Sequence, residues 1–315
     1  MQIRGKPLYP DLYSVAMIDG IPFLPVVLNY CSMELKLLNE EQKMLKYLAP
    51  ALVALTLAVA SPAWAADEIR FSDDRISADL TVDGYHLQFA VSFAQSIGLN
   101  KSNVDVNVQT ISANDYSILN RLPHRYQTSV LENFPVMLSI KPKQDRGFAF
   151  LGEAEIEFYT TSIDFDDNIR LFRSHDGGTF EDITHLIAPG SMRARGSSGT
   201  FSDFILLVDK RDSRAVSRDK AVELASFLNT HIHEFESSFA GNVVALARNV
   251  ENHVTNGRHQ AALSNLNALL RSIENANAEQ VPNIWRSSDD IANIQGEALS
   301  KGRSLRFTLN ELMRK

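Results

Sequence analysis

Several stretches of the sequence combine residue types that could do chemistry. "DFDDN" at 164–168 gathers Asp164, Asp166, Asp167 and Asn168 within five positions. Calcium prefers several carboxylate and carbonyl oxygens on a turning backbone, which makes this run a calcium candidate. The glycine and the distal glutamate of an EF-hand loop are missing, so an acidic turn between two strands is the plainer reading. Ser174, His175 and Asp176 carry the residue types of a hydrolytic triad. A triad assembles across space, however, and adjacency along the chain does not set a nucleophile against its base. His231 and His233, two positions apart, would sit about 200° apart on a helix and could not share one ion. His253 and His259 flank Asn256-Gly257, where two antiparallel helices could bring them together near Glu251. No His-Glu-x-x-His or paired Glu-x-x-His supports a metal reading there, and capping of helix ends is the better account. The sequence has no Gly-x-Ser-x-Gly elbow, phosphate-binding P-loop or Gly-x-Gly-x-x-Gly; "GSSG" at 196–199 falls in an expected turn.

An export signal sets the context for any such chemistry. "MLKYLAPALVALTLAVASPAWAADE", from Met44, has a positive start at Lys46 and an apolar core over 48–60. Ser61-Pro62 then breaks any helix, and Ala63-Trp64-Ala65 supplies the small residues that signal peptidase requires. Cleavage is expected between Ala65 and Ala66. A membrane span needs about 20 apolar residues, a length reached here only by counting Pro62 and its small neighbours. Residues 1–43 show no sustained period and are expected to be a start codon assigned too early. The chain from Ala66 onward keeps the net charge of −7, because the preceding residues hold equal numbers of acids and bases. An acidic chain with no basic stripe disfavours nucleic acid as a partner. The single cysteine, Cys31, precedes the cleavage point, so the exported form has neither a disulfide nor a thiol ligand or nucleophile.

Two textures follow. Between Asp67 and Asp209 apolar residues alternate: Ile76, Ala78, Leu80 and Val82, then Asp83-Gly84, then Tyr85, Leu87, Phe89, Val91 and Phe93. Two alternating runs joined by Asp-Gly predict a β-hairpin. Val104, Val106 and Val108 predict a third strand, "ANDYSILNRLP" a short helical turn, and six further segments to 209 predict strands. Phe204 to Val208 is continuously apolar, as in a strand covered on both faces. Twelve of the seventeen phenylalanines lie in this half, enough for a thick core between two antiparallel sheets. "DKRDSRAVSRDK" at 209–220 is charged and poor in apolar residues, and is expected to be an exposed junction. Beyond it Ala221, Ala225, Leu228, Ile232, Phe235 and Phe239 recur at helical spacing, followed by Val243, Ala247, Val250 and Val254. A third helix carries Ala262, Leu266, Leu269 and Ile273. A fourth is expected from Pro282 through Trp285, Ile291, Ile294 and Ala298, with a break at Gly302.

Two segments also resemble known modules. Arg170-Leu171-Phe172, Gly177-Gly178, Phe180 with Asp182-Ile183-Thr184, and Phe201-Ser202-Asp203-Phe204 resemble the end of an Ig-like β-sandwich module of bacterial exported proteins. Asn256-Gly257, Ala261-Ala262, Leu266, Leu269 and Ile273, within 251–300, resemble the small C-terminal helical modules of the FIMAH type. Both resemblances imply accessory modules and neither brings catalytic residues.

The expected architecture is therefore α+β and multidomain. An Ig-like antiparallel β-sandwich (66–210) is joined by a linker (211–219) to an antiparallel helical bundle (220–315). The expected function is that of a non-catalytic periplasmic or secreted protein that binds a protein or a glycan of the cell envelope. It would have no cofactor unless calcium binds at 164–168, and no membrane span after signal cleavage. The alternative is an envelope hydrolase with a calcium-assisted site near Asp164, Asp166 and His175.

Overall fold

A computed structural model describes residues 68–314. Residues 1–43, the signal expected at 44–65 and the expected cleavage pair Ala65-Ala66 lie outside the described residues. In chain order the strands are β1 (Arg70–Ser72), β2 (Arg75–Val82), β3 (Tyr85–Phe93), β4 (Ser96–Ile97) and β5 (Val104–Thr110). They continue with β6 (Thr128–Val130), β7 (Val136–Pro142), β8 (Ala149–Leu151), β9 (Ala154–Tyr159) and β10 (Ile169–Ser174). The last are β11 (Glu181–Asp182), β12 (Thr184–Ala188), β13 (Arg193–Ser198), β14 (Asp203–Asp209) and β15 (Ile284–Arg286). The helices are α1 (Tyr116–Leu119), α2 (Ser213–Thr230), α3 (Ser237–Thr255), α4 (His259–Glu274) and α5 (Ile294–Arg314). The fold is thus mixed α+β, with antiparallel sheets and C-terminal helices.

The first sheet runs β1-β2-β3-β9-β13-β12 and the second β11-β10-β14-β7-β5, with β6 also on β14. The predicted hairpin is present: Val82 pairs with Tyr85 across Asp83 and Gly84, both at positive φ, 50° and 87°. One core is shared by the two sheets. Ile76, Leu87, Phe89, Ile156 and Phe158 enter it from the first, and Leu138, Ile140, Leu171, Phe204 and Leu206 from the second. The opposite face of the second sheet buries Phe172, Ile205 and Leu207 against Ile118 and Leu122 of the α1 region. Double coverage therefore explains the continuous apolar run in β14. The long helices enclose a separate core of Leu224, Leu228, Val243, Val250, Leu266, Leu269, Leu305 and Leu309. None of the helices among the described residues is long and apolar enough to cross a membrane.

Five sequence expectations are corrected. The linker at 211–219 is in fact the start of α2, because Asp212 caps it by accepting from the amides of Arg214 (3.1 Å) and Ala215 (2.9 Å). The two expected domains accordingly fall in one compact unit. The seam expected from Ala221 to Phe239 breaks at Thr230, and α3 restarts where the Glu236 carboxylate accepts from Ser238 N and Phe239 N. The helix expected at Pro282 is absent. Trp285 instead lies on β15, paired with β8 and packed on Phe150 (5.4 Å), Phe201 (5.5 Å) and Phe148 (5.8 Å). An indole set among three phenylalanines gains more than a helix surface offers, and the strand follows. Gly302 does not break α5 but lies inside it, where an added Cβ would fall 2.6 Å from Leu270 Cδ2. The glycine serves the close approach of α4 to α5.

Candidate functional site

Helix α5 has two buried faces. Ile294, Ala298, Leu305 and Leu309 enter the helical core, whereas Glu297, Ser300, Ser304 and Thr308, with Asn293 just ahead of the helix, form a buried polar face. Ser300 Oγ donates to Ser197 O (2.5 Å), Ser304 Oγ donates to Asp182 O (2.6 Å), and Asn293 Nδ2 donates to Gly199 O (3.0 Å). At the centre lies Arg173, only 4% exposed. Its Nη1 donates to Glu297, Ser198 Oγ (2.8 Å) and Thr200 Oγ1 (3.0 Å), and its Nη2 to Glu181 Oε2 (2.8 Å). Burial alone would make the guanidinium easier to deprotonate, but the Glu297 and Glu181 charges outweigh it and raise the pKa. Burial likewise pushes Glu297 up, and Arg173 more than reverses the effect, holding the carboxyl below its ordinary range.

A second cluster lines a cleft of about 260 Å³ beside this pair. Lys220 Nζ donates to Asp182 Oδ2 (2.6 Å), Ser304 Oγ (2.7 Å) and Thr308 Oγ1 (3.0 Å). An ammonium has three protons, so Lys220 is saturated. Burial lowers its pKa despite Asp182, while Lys220 in turn overcomes burial to hold Asp182 low. Lys301 is spent on Glu223 and Glu181 (3.3 Å), and Arg211 on Asp209, through Nε (2.9 Å) and Nη2 (2.7 Å). Every cation here answers a carboxylate of the same protein. The chemistry is that of a fastening between sheet and helix.

The sequence-predicted residues do not converge. Asp164, Asp166, Asp167 and Asn168 are exposed, and Asp166 Oδ1 is occupied by Asn168 N at 2.7 Å. Among the described residues no group of three or more His, Cys, Asp or Glu side chains is placed to hold a metal. His175 follows β10 at one end and Asp166 precedes it at the other. At about 3.3 Å per residue, the strand separates them by roughly 20 Å, which corrects the idea of one hydrolytic site. Ser174 Oγ donates to Gly178 O (2.6 Å) and His175 Nδ1 lies 2.8 Å from Phe201 O, so the two do not pair. "GSSG" is no turn either, since Gly196, Ser197 and Ser198 belong to β13. Because α2 ends before them, His231 and His233 both approach Glu234, at 2.7 and 3.9 Å. His253 closes α3 and His259 opens α4, each with a buried, unpartnered Nδ1.

The outer face of the first sheet has a different character. Register aligns Asp79, Gln88, Tyr159 and Arg193 in one cross-strand row. Arg75, Ser92 and Glu155 form a second row by the same pairings, which ends at Ser197, buried where Ser300 of α5 bonds its carbonyl. His86 Nε2 and Gln88 Nε2 meet the two oxygens of Asp79 at 2.9 and 3.0 Å, and Arg75 Nη1 donates to Ser92 Oγ at 3.0 Å. The Tyr159 ring stands edge-on to His86 (5.9 Å) with the Arg193 guanidinium over it (5.3 Å). Asp79 and His86 keep about a third of their side chains, 33% and 32%, in water. A cleft of about 340 Å³ opens on this face, lined by Arg70, Arg75, Asp79, Gln88 and Glu157 among others. The face as a whole offers donors, acceptors and the Tyr159 ring at fixed spacing, and among the described residues it shows no arranged nucleophile and base.

Sequence reasoning missed this grid because its residues look like the ordinary polar half of alternating strands. It missed the Arg173 and Glu297 pair because 124 positions separate them. The available signal was the polar seam at 293, 297, 300, 304 and 308, parallel to the apolar one.

A model for a family of unknown function (DUF6689) matches residues 54–313. No curated protein matches the chain.

Proposed function

We propose that this chain, which belongs to the DUF6689 family of unknown function, is an exported, non-catalytic protein that binds a glycan. The binding surface is the outer face of the first sheet. In this reading the two sheets form an Ig-like β-sandwich, and the long helices form an antiparallel bundle bracing one of its edges. The signal at 44–65 sends the chain to the periplasm or the exterior.

One observation carries the proposal. The row of Asp79, Gln88, Tyr159 and Arg193 lies on an open face beside a cleft, with Asp79 a third exposed, whereas the pairs of Arg173 with Glu297 and of Lys220 with Asp182 at the junction are buried. Sugars present closely spaced hydroxyls that both donate and accept, together with an apolar ring face. A carboxylate and an amide held within 3.0 Å of each other, next to an aromatic ring, answer both features. Protein partners prefer a more apolar, aromatic patch centre than this face provides.

Glycan arrays probed with the protein from Ala66 onward test the reading. Binding should appear in wild type and fall at least about tenfold in Asp79→Ala and in Gln88→Ala, each of which removes a charged or amide hydrogen bond to ligand. An empty array, or binding indifferent to both substitutions, would overturn it.

A further inference from the structure

The charged segment that opens α2 places Arg214 and Arg218 four residues apart, on one face of the helix, where side chains are neighbours. Both are exposed, and among the described residues neither side chain has a hydrogen-bond or ion-pair partner. With Val254, Thr255, Gly257 and His259 they line a cavity of about 380 Å³. Among the described residues no carboxylate lines this cavity, whereas the junction cleft and the sheet cleft each carry both signs. The nearby acid, Asp212, accepts from the backbone amides of Arg214 and Ala215, fixes the start of the helix and does not line the cavity.

The opposite wall is the turn between α3 and α4. Gly257, at φ +70°, sets that turn, and Arg258 N donates to His253 O at 2.8 Å. His259 also lines the cavity, and its Nδ1 is buried without a hydrogen-bond partner. Two guanidiniums four residues apart on one helix face repel modestly, and an anion held between them would relieve that repulsion.

We propose that this cavity binds a phosphate group, gripped by Arg214 and Arg218 and hydrogen-bonded by His259. The donor count selects the anion. Each guanidinium presents a fork of two parallel N–H groups, and the imidazole adds one more. A carboxylate, with two oxygens, is satisfied by a single fork, whereas the three or four oxygens of a phosphate use both. The volume exceeds that of inorganic phosphate, so the group can also arrive on a phosphoester. The site is independent of the glycan-binding face.

Titration of the full exported chain with sodium phosphate, followed by backbone amide chemical shifts at low ionic strength, tests the assignment. Wild type should show saturable shifts at Gly257 and His259 that equimolar chloride does not produce. Arg214→Gln and Arg218→Gln should each weaken binding at least about tenfold, as loss of a charge-assisted fork requires. Both positions are exposed and their substitution should leave circular dichroism unchanged. In parallel, sedimentation with vesicles of phosphatidylglycerol, against phosphatidylcholine alone, distinguishes a lipid headgroup from a soluble phosphate. Arginine-dependent response to either probe supports the site and names its source. Silence to both, or shifts that survive in the double variant, would overturn it.

Discussion

Replacing Glu297 by alanine would leave the Arg173 guanidinium buried with only Glu181 as counter-charge, and the Glu181 side chain is itself 41% exposed. Removing one partner of a buried ion pair costs about 3–5 kcal/mol, because the surviving charge can neither return to water nor find a new partner. Glu181, Ser198 and Thr200 keep three of the four contacts of Arg173, which sets the expectation at the lower end, about 3 kcal/mol. For a chain of this size each kcal/mol moves Tm by roughly 2–4 °C, so the loss should be roughly 6–12 °C. Thermal melts read by far-ultraviolet circular dichroism and by Trp285 fluorescence should fall together, because α5 ties the helices to the sheets. The variant Arg173→Met with Glu297→Leu removes both charges and should recover most of the loss, as apolar replacement of a buried pair commonly does. A Tm within about 1 °C of wild type for Glu297→Ala would refute the assigned burial. Separate melting of helices and sheets in wild type would refute the claim that the pair fastens them.

Three further outcomes are expected. Burial, and then the charges of Arg303, Arg195 and Arg306, lower the His185 pKa to about 4. The unfolded chain then binds the extra proton first, so stability is lost as pH falls from about 6.5 to about 4; partial exposure holds the loss to roughly 2–3 kcal/mol, and urea titrations of His185→Gln should lack it. Limited trypsin should not release fragments near 66–210 and 219–315, because α2 is capped at Asp212 and fastened through Lys220 to Asp182 and Ser304; prompt cleavage at Lys210, Arg211, Arg214 or Arg218 would contradict that fastening. If the proposed signal operates, intact-mass measurement of the protein isolated from its native cells should give a chain beginning at Ala66, and a product retaining the residues before it would exclude that signal.

Short-range pattern alone determined much of this protein. Alternation on either side of Asp83-Gly84 defined a hairpin, because a two-residue turn of that type needs positive φ at both positions. The unbroken run in β14 indicated coverage on both faces, and Val243, Ala247, Val250 and Val254 lie where their helical spacing placed them. These features depend on residues within one or two turns of each other, and their physics is local. The boundary at 209–220 was misjudged for a definite reason: charge density suggests exposure unless each charge meets its partner. The partners of Lys220 come from β11 and α5, and those of Arg173 from β11, β13 and α5. Trp285 became a strand residue only because Phe148, Phe150 and Phe201 surround it. Asp166 and His175, nine positions apart in the sequence, were driven to opposite ends of a strand, whereas Arg214 and His259 were brought to one cavity. The sequence determined which faces are apolar. Only tertiary packing decided which charges meet, because an ion pair depends on distances of a few ångströms between residues far apart in the chain.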